Sequence, residues 1–281
     1  QKTEYKDPEG AITISTTYTW KEVLKANINA REMNLVFTIT DTYAQDTDLL
    51  LTKEFTRRML TEEANYPKGA IGAVTITETH EAGMKTSVRM TYRIQGAPSE
   101  VSSSLAANEK TIITVTKVWE GDVNKDVSLV LRDEPTSINY TYKIIEGEGT
   151  NRKLVTYTDT FIGTVFDTRQ KTYYAKQLTL QGEKMVQVTE NWIGKDFLDS
   201  FSFTYWGKVT DSLAKDSQGN PIEKTVKITE NYLDLNRNNQ IDNDPAKKPD
   251  ERDTSVIESR YYAYYITGGK LVLERFEGTK D

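Results

Sequence analysis

The chain contains no cysteine. That absence excludes disulfides, thiolate nucleophiles, cysteine-held zinc and cysteine-ligated iron–sulfur clusters. Histidine occurs once, at His80 in "TETHEAG". A two-histidine zinc helix is therefore impossible, and a Ser-His-Asp triad would have only this one base. The flanking residues read as a hairpin tip, where an exposed histidine is the simplest account. No apolar run approaches the roughly 20 residues of a membrane-spanning helix. Neither a glycine-rich phosphate loop nor a dinucleotide fingerprint is present. No basic stripe is interleaved with aromatics, and the net charge of −6 repels phosphate backbones and anionic lipid. Nucleic acid is not an expected partner.

What is present can fold. The 281 residues suggest about two domains. Hydrophobic residues make up 37% and charged residues 28%, with 16 Tyr, 8 Phe and 4 Trp as core material. A cysteine-free, acidic chain rich in Tyr and Thr and in strand patterns suggests an exported bacterial protein. Because the chain opens on Gln1, removal of a preceding segment is expected. Residues 1–9 have no periodicity and read as a flexible leader. In a lipoprotein they would be the tether below an acylated cysteine, the only membrane attachment expected.

Residues 10–96 read as an α+β domain of order βαβαββ. "AITISTTY" is a strand. Thr19 and Glu22 have capping-box spacing, and Trp20, Val23, Leu24 and Ile28 follow at helical spacing. "NLVFTIT" is a second strand. Asp46 and Asp48 offer caps for a second helix, in which Leu51, Phe55 and Met59 share a face before "NYPKG" stops it. A hairpin of "IGAVTITET" and "TSVRMTYRI" closes the domain. Residues 97–110 are a linker by composition.

Residues 111–281 predict a larger antiparallel β-domain, a meander closed as a barrel or packed as a sandwich. Its strands include "TIITVTKVW", "DVSLVLR", "INYTYKII", "KLVTYT", "FIGTVF", "TYYAKQLTL", "MVQVTENW", "SFSFTYW", "KTVKITENY", "RYYAYYI" and "KLVLERF". Turns fall at Gln181–Gly182 and at "TGGK", 267–270. "VQVTENW", 186–192, echoes "VKITENY", 226–232. Two strands with one in–out pattern account for that echo. Glu190 and Glu230 sit at equivalent points of it. They read as solvated strand-end residues, or as a carboxylate pair for glycoside hydrolysis if about 5–10 Å apart. Trp119, Trp192 and Trp206 read as core, or as a sugar-stacking surface.

An acidic, Asn-rich loop spans 231–254 of this domain. Calcium takes six to eight oxygens, which loops supply from alternate short side chains and a backbone carbonyl. Asp234, Asn236 and Asn238 have that alternation, Gln240 would give its carbonyl, and Asp242 and Asp244 follow. Asn239 falls where a left-handed residue is needed, and Ile241 would anchor the loop. Ordinary Asp and Asn turn chemistry is the competing reading. "DVNKD", 122–126, has a shorter alternation and reads as a plain turn.

"DLNRNNQID" resembles the calcium loops of dockerins, EF-hands and thrombospondin type 3 repeats. The resemblance implies calcium on Asp234, Asn236, Asn238, Gln240, Asp242 and Asp244. It departs at its twelfth position, where Pro245 replaces the usual acid, so Asp244, Asp250, Glu251 or Asp253 would have to complete the site. Weak binding, roughly millimolar, follows. "TVTKVWEGDVNKD", 114–126, resembles the first strand and loop of collagen-adhesin B-type repeats, which would make Lys117 the lysine of an isopeptide bond. The later motifs of that repeat have no clear counterpart. "YYAYYITGGKLVLERF" is similar to the last hairpin of lipocalin-like domains of bacterial lipoproteins.

The expectation is a non-enzymatic, exported bacterial surface protein or lipoprotein. It would bind or adhere from the cell envelope, to carbohydrate or to another envelope protein, with calcium stiffening the β-domain. A carbohydrate-active enzyme using β-domain carboxylates and a structural subunit of an envelope assembly are the alternatives.

Overall fold

A computed structural model describes the backbone of residues 2–6, 12–24, 33–44, 49–96, 111–215, 218–234, 239–241, 258–267 and 270–278. Side chains are described for 52–96, 111–208, 218–220, 223, 227–234 and 239–241. The architecture is mostly antiparallel β. Its strands are β1 (Lys2–Lys6), β2 (Ile12–Leu24), β3 (Met33–Ala44), β4 (Leu49–Arg58), β5 (Ile71–Glu81), β6 (Met84–Gln95) and β7 (Ile112–Glu120). After a helical turn, α1 (Val127–Val130), come β8 (Ser137–Glu146), β9 (Lys153–Ile162), β10 (Val165–Thr179), β11 (Gly182–Ile193), β12 (Phe197–Lys215), β13 (Pro221–Leu233), β14 (Glu258–Thr267) and β15 (Lys270–Gly278). The chain divides into two compact units. The first is Gln1–Lys143 with Thr158–Phe166, and the second is Ile144–Tyr157 with Asp167–Asp281. Within each, strands consecutive in sequence are neighbours in the sheet.

In the first unit the alternation of residue types sets the two faces. Val74, Ile76, Val88, Met90, Ile113, Val115 and Trp119 are buried. They fall into cross-strand rows such as Ile76↔Met90↔Lys117↔Ile138 and Glu78↔Val88↔Trp119. Side chains alternate between faces with a period of two, so the residues between them form the opposite face. There, threonine hydroxyls meet across strands, Thr56 with Thr77 at 2.9 Å and Thr91 with Thr116 at 3.3 Å. At the β5–β6 hairpin Glu81 pairs with Met84, and Ala82 and Gly83 take φ of 49° and 81° to turn the chain. His80 lies one residue before this tip, on β5.

The second unit repeats the scheme. Val186 and Val188 of β11, Phe201 and Phe203 of β12, and Ile228 and Tyr232 of β13 are buried. The Phe201 ring stacks on Tyr232 with centroids 4.9 Å apart, and Phe203 tilts against the same ring at 5.2 Å. Thr172–Thr189 and Thr204–Thr229 continue the threonine contacts on the other face, at 3.5 and 3.1 Å.

Several expectations are corrected. The helix expected from Thr19 lies on β2 as far as Leu24, and Ile28 lies outside the described residues. The helix expected after Asp48 is β4 followed by a turn. Arg57 donates two hydrogen bonds to Glu63, at 2.8 and 2.9 Å, and the Leu60 amide donates a third at 2.8 Å. Burial pushes the Glu63 carboxyl up, but these donors outweigh it and hold the group below its ordinary range. Lys2–Lys6, expected as leader, forms β1 and pairs with β2. "DVSLVLR" is not a strand. Asp126 caps α1 by accepting from the Ser128 amide at 2.8 Å, and Val130 is buried. "FIGTVF" breaks at Gly163, whose φ of 59° turns β9 into β10. The expected linker 97–110 lies outside the described residues, and the strands on either side of it, β6 and β7, pair with each other in the first unit.

Phe203→Ala should lower unfolding stability by about 3–5 kcal/mol, because the ring is fully enclosed and its neighbours can collapse only partly. Thr204→Ala, next to it but on the other face, should cost under about 1 kcal/mol. Equal losses in chemical denaturation would contradict this division of the faces.

Candidate functional site

Buried carboxylates lie among the apolar rows. Glu230 is fully buried and Glu190 nearly so, at 0% and 6% exposure. Glu190, expected as solvated or catalytic, accepts from the Tyr173 hydroxyl at 2.5 Å through Oε1. Its Oε2 accepts from the Trp192 indole at 2.9 Å. Glu230 accepts on Oε1 from the Leu180 amide at 2.9 Å and from the Tyr205 hydroxyl, and on Oε2 from Tyr232 at 2.6 Å. The solvated reading of both residues is thus overturned. An unpaired carboxylate has a large desolvation penalty, and each of these is met by several donors instead.

The echoed sequences now have a mechanism. In "TEN" followed by Trp or Tyr, the Glu points inward and the aromatic two residues on points to the same side. That aromatic donates to the carboxylate on its own strand, while a tyrosine from the preceding strand donates across. The Thr before the Glu points outward and meets its threonine partner.

Glu146 and Lys171 join this network in the second unit. Tyr157 donates to Glu146, and Lys171 lies 3.8 Å from Glu146 and 3.7 Å from Glu190. Lys153 sits 3.6 Å above the Tyr173 ring. The first unit has a simpler version, in which Tyr142 donates to buried Asp159 at 3.0 Å. Glu146, Lys171 and Asp159 were missed from sequence. The available signal was a charged residue at an inward position of an alternating strand.

The acidic loop is described at its start and middle. Asp234 is 4% exposed. Its amide donates to the Asp199 carbonyl at 3.2 Å, and its carboxylate accepts from the Asn239 amide at 2.8 Å. Asn239 has φ of 60°, the left-handed conformation that its place in the pattern required. The Asn239 side chain accepts from the Leu198 amide at 2.8 Å, tying the loop to the start of β12. Gln240 is exposed and Ile241 half-buried. Asn236, Asn238, Asp242 and Asp244 lie outside the described residues.

The tryptophans separate. Trp119 is buried and donates to the Asp133 carbonyl at 2.9 Å, Trp192 serves Glu190, and Trp206 is 57% exposed. Lys117 lies in the inward row between Met90 and Ile138.

No protein-family model, no curated protein and no solved structure matches the chain.

Burial raises the pKa of Tyr173 and Tyr232 far above the ordinary 10.0, and the carboxylates they donate to raise it further. A pKa raised by folding stabilises fully below the unfolded value, and that stability is lost as pH rises beyond it. The melting temperature should therefore fall steeply above about pH 10. Tyr173→Phe with Tyr232→Phe should flatten this fall while lowering stability at neutral pH. A slope unchanged in the double variant would refute the assignment. Glu230→Gln should cost about 2–4 kcal/mol, because an amide N–H₂ would replace an acceptor oxygen facing a buried donor. Urea denaturation measures it.

Proposed function

We propose that the protein is a non-enzymatic, exported bacterial surface protein, carried as a lipoprotein or otherwise held at the envelope, and that it works by binding. The observation that carries this reading is the use of the buried carboxylates. Glu190 and Glu230 have both oxygens engaged by tyrosine, tryptophan or backbone donors. A general acid or base must offer an oxygen to its substrate within hydrogen-bond reach. Carboxylates held this way favour a rigid scaffold over the carbohydrate-active enzyme. Within that scaffold each meander covers its apolar face by barrel closure or sandwich packing.

The loop reading belongs to the same proposal. Its donor set suits a hard cation, since Asp234, Asn236, Asn238, Asp242, Asp244 and the Gln240 carbonyl offer only oxygens. The left-handed Asn239 and the Asp234 to Asn239 hydrogen bond support it by curling the chain about the Asp234 carboxylate. When bound, calcium would cross-link a loop anchored at the β12–β13 end and stiffen it.

Added calcium should raise the melting temperature and EDTA should reverse the rise. Asp242→Asn should remove most of the calcium response. An identical melting temperature with and without calcium, at millimolar concentration, would count against the metal site.

A further inference from the structure

The outward face of the second unit differs from the rest of this charged chain. Four cross-strand rows can be followed. Gln170 pairs with Asn191 and Asn191 with Ser200. Next come Thr172↔Thr189↔Ser202↔Asn231, then Tyr174↔Gln187↔Thr204↔Thr229. The last row holds Lys176↔Met185 and, two residues beyond Thr204 on β12, Trp206↔Lys227. Across β10–β13 every position of the first three rows is Gln, Asn, Ser, Thr or Tyr except Leu233, the partner of Ser200 on β13. None of these β10–β13 positions is charged, although charged residues are 28% of the chain, and the first charges in register with them are Glu258 and Arg260 on β14.

This lattice is ordered by its own bonds. Gln170 donates to Asn191 at 3.1 Å and Asn191 donates to Ser200 at 3.2 Å. The Thr172–Thr189 and Thr204–Thr229 hydroxyls meet in the same rows. Hydroxyls and carboxamides held in this way have fixed directions before any partner arrives, which lowers the ordering cost of binding. At one margin stand large, exposed side chains: Tyr174 at 67%, Met185 at 61% and Trp206 at 57%. Tyr174 and Trp206 lie two strands and two residues apart, about 12 Å by strand spacing and rise. Amphipathic rings at such a spacing suit a partner with alternating apolar and hydroxyl surface.

We propose that this face binds an uncharged, hydroxyl-rich polysaccharide, laid across β10–β13 and stacked on Tyr174 and Trp206. The proposal rests on the binding function above and names its ligand class. Charge selects the occupant. A neutral glycan meets a neutral lattice without desolvating an ion, whereas an acidic glycan would find no cation within the three uncharged rows. It would also approach a chain of net charge −6. The lysines stand in the last row or beyond it, outside the three uncharged rows: Lys176 lies near Glu183, Lys227 pairs across from Trp206, and Lys208, two residues past Trp206, pairs with Glu223 at 3.0 Å.

The test is affinity electrophoresis and pull-down of the intact protein on mixed-linkage glucan, mannan, chitin and, as the charged probe, polygalacturonate. Retention by at least one uncharged polysaccharide is expected, equally at low and high salt. Trp206→Ala and Tyr174→Ala should each weaken it by about ten-fold with the fold intact by circular dichroism. Thr189→Lys, which puts a charge in the lattice, should weaken it too. Salt-sensitive preference for polygalacturonate would overturn the inference while leaving the binding function standing. So would retention unaffected by Trp206→Ala and Tyr174→Ala. So would failure on all polysaccharides alongside capture of an envelope protein that depends on Trp206. Turnover of a glucan would overturn both.

Discussion

The second unit depends on carboxylates kept out of water. A buried carboxylate is tolerated when its lone pairs meet donors, and here tyrosine hydroxyls supply them. Tyrosine suits the task because its ring adds to the apolar core while its hydroxyl reaches a partner two positions or one strand away. The requirement then propagates. Tyr232 must face the same side as Glu230, so β13 cannot slip by one residue without moving both. Tyr205 fixes β12 against β13, and the Leu180 amide fixes the β10–β11 turn over them. One buried charge thus sets the register of several strands. In a meander, whose neighbouring pairs are otherwise alike, that is a physical source of specificity.

The same constraint joins the two faces. Because the period is two, a Glu inward with its aromatic inward leaves Thr and Asn outward. The core network on one side and the uncharged lattice on the other are therefore two aspects of one heptapeptide pattern. Thr189, Asn191, Thr229 and Asn231 adjoin Glu190 and Glu230 in the chain, so hydrogen bonds that hold the carboxylates also hold the backbone that carries the outward residues. A face built on strands pinned from behind would need little ordering on binding a ligand.

The β-region was largely legible because alternation is a strong signal there, and Tyr140 and Tyr142 face inward as their spacing requires. Asn239 was legible as well, since a left-handed position favours Gly or Asn. Glu190 and Glu230 were located but misjudged. A Glu beside a strand end is usually solvated, and nothing in one strand reveals that tyrosines on another will meet it. Glu146 and Lys171 showed only as charges at inward positions of alternating strands, and their partners could not be read because those contacts depend on cross-strand register.

The two expected helices failed for a different reason. Leu51, Phe55 and Met59 are spaced by four, as are Trp20, Leu24 and Ile28, with Val23 as the one further step of three. Four lies close to one helical turn, but it is also an even number, so residues spaced in this way would share a face of a strand as well. Spacing by four alone cannot separate the two states. What separates them is the residues around these positions. Thr52, Thr56, Thr17 and Thr19 are β-branched and favour strand, and the threonines at 38, 56 and 77 then align across β3, β4 and β5. Each strand's hydroxyls find partners only if its neighbours are strands too. The preference is thus cooperative across the sheet, and a reading of one segment at a time underweights it.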